Sequence, residues 1–179
     1  GKLRFLLALW EGKAAIFGLQ LLKRNATHYP GVIAAKICPD FLKRLQKPQT
    51  IIGVTGTNGK TTTTSLTYEI VKSFNEKTLL VGNIEIPYTG LALTSEEDGA
   101  TVAEISSFQL ETMHTFKPKV SAILNITPDH LDRHKTMENY ADVKKSIAKN
   151  QDENDFCILN YDDTVLRAFG AECKCKVVY

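Results

Sequence analysis

At 179 residues the chain suits one domain, with room for a modest appendage. Its apolar share of 43% and charged share of 23% are those of an ordinary globular protein, which sets aside the fibrous and disordered classes. The net charge of +2 conceals an asymmetry, because residues 1–50 carry +7 and the remainder −5. A basic leader thus precedes a mildly acidic domain. No nucleic-acid-binding motif accompanies the basic segment, and no nucleic-acid partner is expected.

Residues 3–22 are strongly apolar, with Leu3, Phe5, Leu6, Leu7, Leu9, Trp10, Ile16, Phe17, Leu19, Leu21 and Leu22, but Arg4, Glu11 and Lys13 interrupt them. The pattern predicts a helix too charged to span a bilayer. It is left either to pack on the body or a partner, or to make peripheral contact with a membrane surface. No small-residue cleavage site follows, which disfavours a signal peptide. Tyr29-Pro30-Gly31 is expected to break the chain. A short helix over 32–37 and a segment over 39–45 follow, and Pro48 closes a leader of residues 1–49.

From residue 50 strands alternate with helices. Strands are predicted at 50–55, 78–81, 100–105, 119–126, 155–160 and 175–179. Helices are predicted at 61–74, with Leu66, Ile70 and Phe74 along one face, and at 107–114, 136–150 and 164–169. This alternation defines an α/β fold, a mostly parallel sheet flanked by helices, over residues 50–179. Ligands in such sheets sit beyond the carboxyl ends of the strands, so the polar residues at those ends are the candidates for function.

The first such end carries Gly53-Val54-Thr55-Gly56-Thr57-Asn58-Gly59-Lys60-Thr61-Thr62. Glycines at this spacing let backbone N–H groups surround phosphate oxygens, Lys60 can reach the terminal phosphates, and the Thr61 hydroxyl can bind Mg²⁺. The segment is read as a P-loop for a nucleoside triphosphate, although Val54 stands where the usual pattern has its first glycine. Glu104 falls at the end of a strand that should be central. There it either ligates Mg²⁺ beside Thr61 or pairs with a lysine or arginine. Asn83, after another strand, either binds a substrate or serves a turn.

A polar cluster, Asn125 to His134, follows the most apolar strand. His130 could ligate a metal, orient a phosphate or act as an acid, with Asp129 and Asp132 fixing its tautomer. On a helical wheel begun at Met137, the apolar arc holds Tyr140, Ala141, Ile147 and Ala148, and Lys144 falls in its middle. An inward lysine requires a partner or a changed charge, unless it snorkels out at the helix end. The four cysteines, Cys38, Cys157, Cys173 and Cys175, read as scattered reduced thiols, since Cys173-x-Cys175 lacks the spacer of a zinc knuckle. The missing initial Met and the strand-like Val177-Val178-Tyr179 are expected of a piece of a longer protein.

Together these residues resemble the Mur ligase superfamily of peptidoglycan precursor synthesis, whose form of the phosphate loop is Gly56-Thr57-Asn58-Gly59-Lys60-Thr61-Thr62. Within it, the segments 103–111, 122–134 and 136–144 are similar to the branch that adds D-glutamate to UDP-N-acetylmuramoyl-L-alanine. The resemblance implies a cytoplasmic ATP-dependent ligase, with residues 56–62 on the ATP phosphates; the alternative is a non-catalytic nucleotide-binding fragment. A first Mg²⁺ would lie on Thr61 and Glu104, and a second on His130 and a carbamylated Lys144. Asn83 and Ser106 would contact the UDP-linked substrate. Lys60, His130 and Lys144 would carry a two-step reaction, an acyl phosphate followed by displacement by the D-glutamate amine. The leader departs from that branch. Residues 25–31 look like the Mur-ligase-like subunit of the lipid II isoglutaminyl synthase, which implies a glutaminase partner, though the four-cysteine zinc insertion of that subunit is not found. Glu85 stands where the glutamate-adding branch has glycine.

Overall fold

The computed structural model describes residues 2–21, 29–39, 48–84 and 86–179. The leader contributes α1 (Lys2–Leu21) and α2 (Tyr29–Ile37). The domain then runs β1 (Thr50–Thr55), α3 (Lys60–Phe74), β2 (Thr78–Gly82), α4 (Tyr88–Leu91), β3 (Ala100–Glu104), α5 (Ser107–Leu110), β4 (Val120–Ile123), α6 (Leu131–His134), α7 (Met137–Lys145), β5 (Phe156–Leu159), α8 (Thr164–Gly170) and β6 (Lys176–Val178).

Six strands form one sheet in the order β2-β3-β1-β4-β5-β6, and every pairing is parallel. Parallel strands need crossover connections, and the helices supply them. All five residues of β3 are buried, so both of its faces are covered. The main core joins Val81, Ala103 and Ile123 of the sheet to Tyr140, Ala141 and Ile147 of α7 and the 3₁₀ turn that continues it.

Several elements differ from the sequence reading. Pro30 does not break the chain. It lies in the first turn of α2, where its missing N–H has no intrahelical acceptor to lose. The helix over 136–150 is α7 followed by a 3₁₀ turn at Ser146–Ala148. The strand over 119–126 stops at Ile123, and the helix over 107–114 stops at Leu110. The face of α3 bearing Leu66, Ile70 and Phe74 is turned to the surface, with Phe74 87% exposed. The sheet side of α3 carries Thr64, fully buried, because the sheet approaches closely and small hydroxyls fit beneath it. The helices α4 and α6 were not expected. The predicted segment over 40–45, the leader motif at 25–28 and Glu85 lie outside the described residues.

The leader helix packs on the body. Ala8 and Leu9 of α1 close a small core with Ala34, Cys38 and Ala92, while Leu3, Trp10 and Phe17 are exposed. Among the described residues no helix is long and apolar enough to cross a membrane.

Gly82 ends β2 with φ at 102°, and a Cβ there would fall 2.0 Å from the Glu104 carbonyl oxygen. Gly18 of α1 has nothing within 4 Å of such a Cβ. Gly82→Ala is therefore expected to lower stability by about 3 kcal/mol or more, as steric and backbone strain combine. Gly18→Ala is expected to be neutral or slightly stabilising, both measured by urea unfolding.

Candidate active site

Parallel pairing of β3, β1 and β4 aligns their carboxyl ends, so Glu104, the loop after Thr55 and the segment from Leu124 meet at one edge of the sheet. The loop at residues 56–59 turns into α3 at Gly59, whose φ of 78° suits glycine and strains other residues. A latch from the neighbouring strand holds it. The Asn125 side-chain oxygen accepts from the N–H groups of Thr57 (3.0 Å) and Asn58 (2.8 Å), and its amide donates to the Asn58 carbonyl (3.1 Å). The Thr57 hydroxyl donates to the Thr127 carbonyl at 3.2 Å, accepts from the Thr127 N–H at 3.0 Å and lies 3.3 Å from the Tyr140 hydroxyl.

This latch narrows the anion-binding groups. The amides of Thr57 and Asn58 are engaged by Asn125. The N–H groups without an intrahelical acceptor are those of the first turn of α3, at Lys60, Thr61 and Thr62, and they point toward any anion at the helix start. The Lys60 ammonium donates to the Thr57 carbonyl at 2.8 Å.

Glu104 is 2% exposed. One carboxylate oxygen accepts from the Thr61 hydroxyl and the other from the Asn83 amide, both at 2.8 Å. Among the described residues no lysine or arginine pairs with it, so the ion-pair reading does not hold. A buried carboxylate with two neutral donors is under-compensated, and a cation is the group that would complete it. The Thr61–Glu104 pair therefore fits a hard divalent ion with oxygen ligands.

Lys144 is 2% exposed on the inner face of α7, as the helical wheel predicts. Its ammonium donates to the Gly56 carbonyl at 2.8 Å and lies 4.8 Å from the centre of the Tyr140 ring. Burial pushes it down from 10.5 to about 8, the nearby Lys60 charge adds to the fall, and Asp129 opposes it. Snorkelling is thus set aside. His130 has φ at 51° and begins α6, with its ring nitrogen 3.4 Å from Asp129 and its ring 5.0 Å from that of Phe108. Asp132 makes no bond to His130 among the described residues, contrary to expectation. The Ser106 hydroxyl caps α5 and bonds Gln109 in a reciprocal capping box.

Lys60, Asn83, Ser106, His130 and Lys144 line one cleft with Asp129, Phe108 and Tyr140. Its volume of about 120 Å³ is too small for a whole nucleotide and suits phosphates with their counterions. Thr61 and Glu104 adjoin it through Asn83. Sequence reasoning missed the latch role of Asn125 and counted Tyr140 only as apolar. The available signals were that Asn125 opens the polar cluster and that Tyr140 lies one helical turn before Lys144.

A glycine-rich loop between a central parallel strand and a helix defines a P-loop-type nucleotide-binding domain. The model of the Mur ligase middle domain matches residues 54–179, and the chain belongs to this family. The UDP-N-acetylmuramoylalanine–D-glutamate ligase of Lachnospira eligens is 60% identical over 129 residues, 72% of this chain and 29% of that protein. Its counterpart from Lachnoclostridium phytofermentans is 54% identical over 129 residues, 72% of this chain and 28% of that protein. The crystal structure of MurF ligase from Thermotoga maritima in complex with ADP superposes with a TM-score of 0.62 at 25% identity, covering 80% of this chain and 35% of that one. The chain thus spans under a third of the length of these curated relatives.

The Lys144 environment sets a pH dependence. Its folded pKa of about 8 lies below 10.5, so between these values the unfolded chain holds a proton that the folded chain has lost. Stability attributable to this group therefore rises with pH through that window and is lowest below it. In CO₂-free buffer, Lys144→Met should be more stable than the parent by up to about 3 kcal/mol at pH 7, and the gap should close by pH 10.5. A gap independent of pH in urea titrations would refute the assignment.

Proposed function

We propose that this chain is the ATP-binding middle domain of a cytoplasmic ligase that joins D-glutamate to UDP-N-acetylmuramoyl-L-alanine, with residues 1–49 as a leader and residues 50–179 as the domain. The observation that carries the reading is one strand-end cleft lined by Lys60 and the buried Lys144, which the Thr61–Glu104 pair adjoins through Asn83. The similarity to the D-glutamate ligases supports the choice of substrates.

In this reading Lys60 leaves the Thr57 carbonyl for the terminal phosphates of ATP, which the first-turn amides of Lys60, Thr61 and Thr62 also hold. Gly56, Thr57, Asn58 and Gly59 shape the loop around them. Thr61 and Glu104 would hold one Mg²⁺, and His130 with carbamylated Lys144 a second. The ions supply neutralisation of phosphate charge. Asn83 and Ser106 position the UDP-linked substrate. Its carboxylate attacks the γ-phosphate to give an acyl phosphate and ADP, and the amine of D-glutamate then expels phosphate. The chain's own contribution is positioning and fixed charge.

Lys144 is suited to carbamylation. Only a neutral amine attacks CO₂, and a pKa of about 8 leaves a usable neutral fraction near pH 7. The carbamate keeps one N–H, so the bond to the Gly56 carbonyl can persist while the charge changes sign.

The test uses the full-length protein containing this chain, with ATP, Mg²⁺, D-glutamate and UDP-N-acetylmuramoyl-L-alanine. Lys144→Ala is expected to lower kcat by roughly a hundredfold or more, the scale seen when a transition-state charge is lost. Lys145→Ala, whose side chain lies 3.6 Å from Asp142 at the surface, should change it by less than about twofold. Equal losses would sink the assignment. Failure to couple D-glutamate, with glutamine-dependent amidation on adding a glutaminase subunit, would move the protein to the isoglutaminyl synthase branch.

A further inference from the structure

Three of the four cysteines are not scattered. Cys157 lies in β5, Cys175 immediately precedes β6, and Cys173 lies in the turn between α8 and β6. Their sulfur atoms all lie within 4.8 Å of one another. Among the described residues this is the one place where three or more His, Cys, Asp or Glu ligand atoms converge so closely. Parallel pairing of β5 with β6 brings it about, since Cys157 pairs with Val177 and Cys175 falls beside the start of β5. The cluster sits at the amino-terminal ends of these strands, the opposite edge of the sheet from the phosphate loop.

From this convergence we propose that Cys157, Cys173 and Cys175 form a trithiolate site for a thiophilic divalent cation, zinc being the ion the donors suit. Tetrahedral zinc with bonds of about 2.3 Å places its sulfurs about 3.8 Å apart. The sulfurs, all within 4.8 Å of one another, are wider than that spacing by at most about an ångström. Cys157 is fully buried and Cys175 is 8% exposed, while Cys173 is half-buried and gives the ion a path in. The fourth position falls to water or to Gln151, whose side-chain oxygen is 3.6 Å from the Cys175 sulfur. Asp155 is turned away, paired with Lys117 (3.3 Å) and Lys119 (3.6 Å).

The thiols' electrostatics point the same way. Hydrogen bonding from Cys173 draws Cys157 down to about 7 against the effect of burial, with Ser121 and Cys175 helping. The same bond and burial push Cys173 up, and burial and the Cys157 charge push Cys175 up. Binding a dication takes the thiols as thiolates and releases their protons. The bound ion would clip β6, a three-residue edge strand, to β5. This inference is independent of the ligase reading.

The full-length protein containing this chain, reduced and stripped of metal, is titrated anaerobically with Co²⁺ and then Zn²⁺. The expected result is a thiolate-to-cobalt charge-transfer band with tetrahedral visible bands, saturating at one equivalent and abolished by Zn²⁺. Co²⁺ on oxygen ligands beside the phosphate loop gives no such band. Cys173→Ser, at a half-exposed position, should weaken binding at least tenfold, and Cys38→Ser should leave it unchanged. Should Cys173→Ser fail to fold, zinc protection of the three thiols against alkylation in the parent chain, mapped by mass spectrometry, decides. The proposal is overturned by no charge-transfer band, by a band that survives Cys173→Ser, by alkylation that zinc does not slow, or by a disulfide within the cluster whose reduction yields no metal binding.

Discussion

A carboxylate held out of water, with no lysine or arginine paired to it among the described residues, is the constraint around which this domain is arranged. Glu104 ends the strand flanked by β1 and β2, and it is 2% exposed. Two neutral donors, from Thr61 and Asn83, satisfy its hydrogen bonding but not its charge. A hydrophobic residue of similar size would cost the fold less. Lys144 is the opposite case across the cleft, a buried amine bonded to a carbonyl and, among the described residues, paired with no carboxylate. In the proposed reading, phosphate and metal ions come between these two buried groups of opposite sign.

What was legible in the sequence divides along the same line. The strands and the phosphate loop could be read because strand alternation and glycine spacing are local signals. Lys144 could be read because helix periodicity fixes its direction, whatever lies opposite. The latch could not be read, because Asn125 reaches Thr57 and Asn58 across a pairing of β1 with β4 that sequence spacing does not record. The cysteines failed for that reason too. Cys157 is distant in sequence from Cys173 and Cys175, and only the β5–β6 register joins them. The face of α3 failed for another reason. Periodicity marks an apolar stripe but not which stripe meets the sheet, and here close approach selected the threonine side.

The latch also bears on how the loop works. Two loop carbonyls, of Gly56 and Thr57, accept from Lys144 and Lys60. Carbonyl oxygens near a phosphate site repel the ligand, and ammonium groups placed on them soften that repulsion. Each lysine differs in what it can give up. Lys60 begins a helix at the mouth of the loop and, in the proposed reading, exchanges the Thr57 oxygen for a phosphate oxygen. Lys144 is anchored beneath the loop by α7 and cannot swing out without unpacking Tyr140. Its bond to Gly56 therefore fixes the loop, while that of Lys60, in the proposed reading, keeps its place until a phosphate arrives.

Tyr140 ties the two halves together. Its ring carries the Lys144 charge, and its hydroxyl meets the Thr57 hydroxyl that also bonds Thr127. Burial pushes the phenol up, so it stays protonated and acts as a neutral hydrogen-bonding partner. A shift of α7 would consequently be felt at Thr57 and through it at the segment leading to Asp129 and His130. The site is then one rigid network with three inputs, the phosphate loop, the β4 end and α7, and a charged group binding to any of them changes the field at the other two.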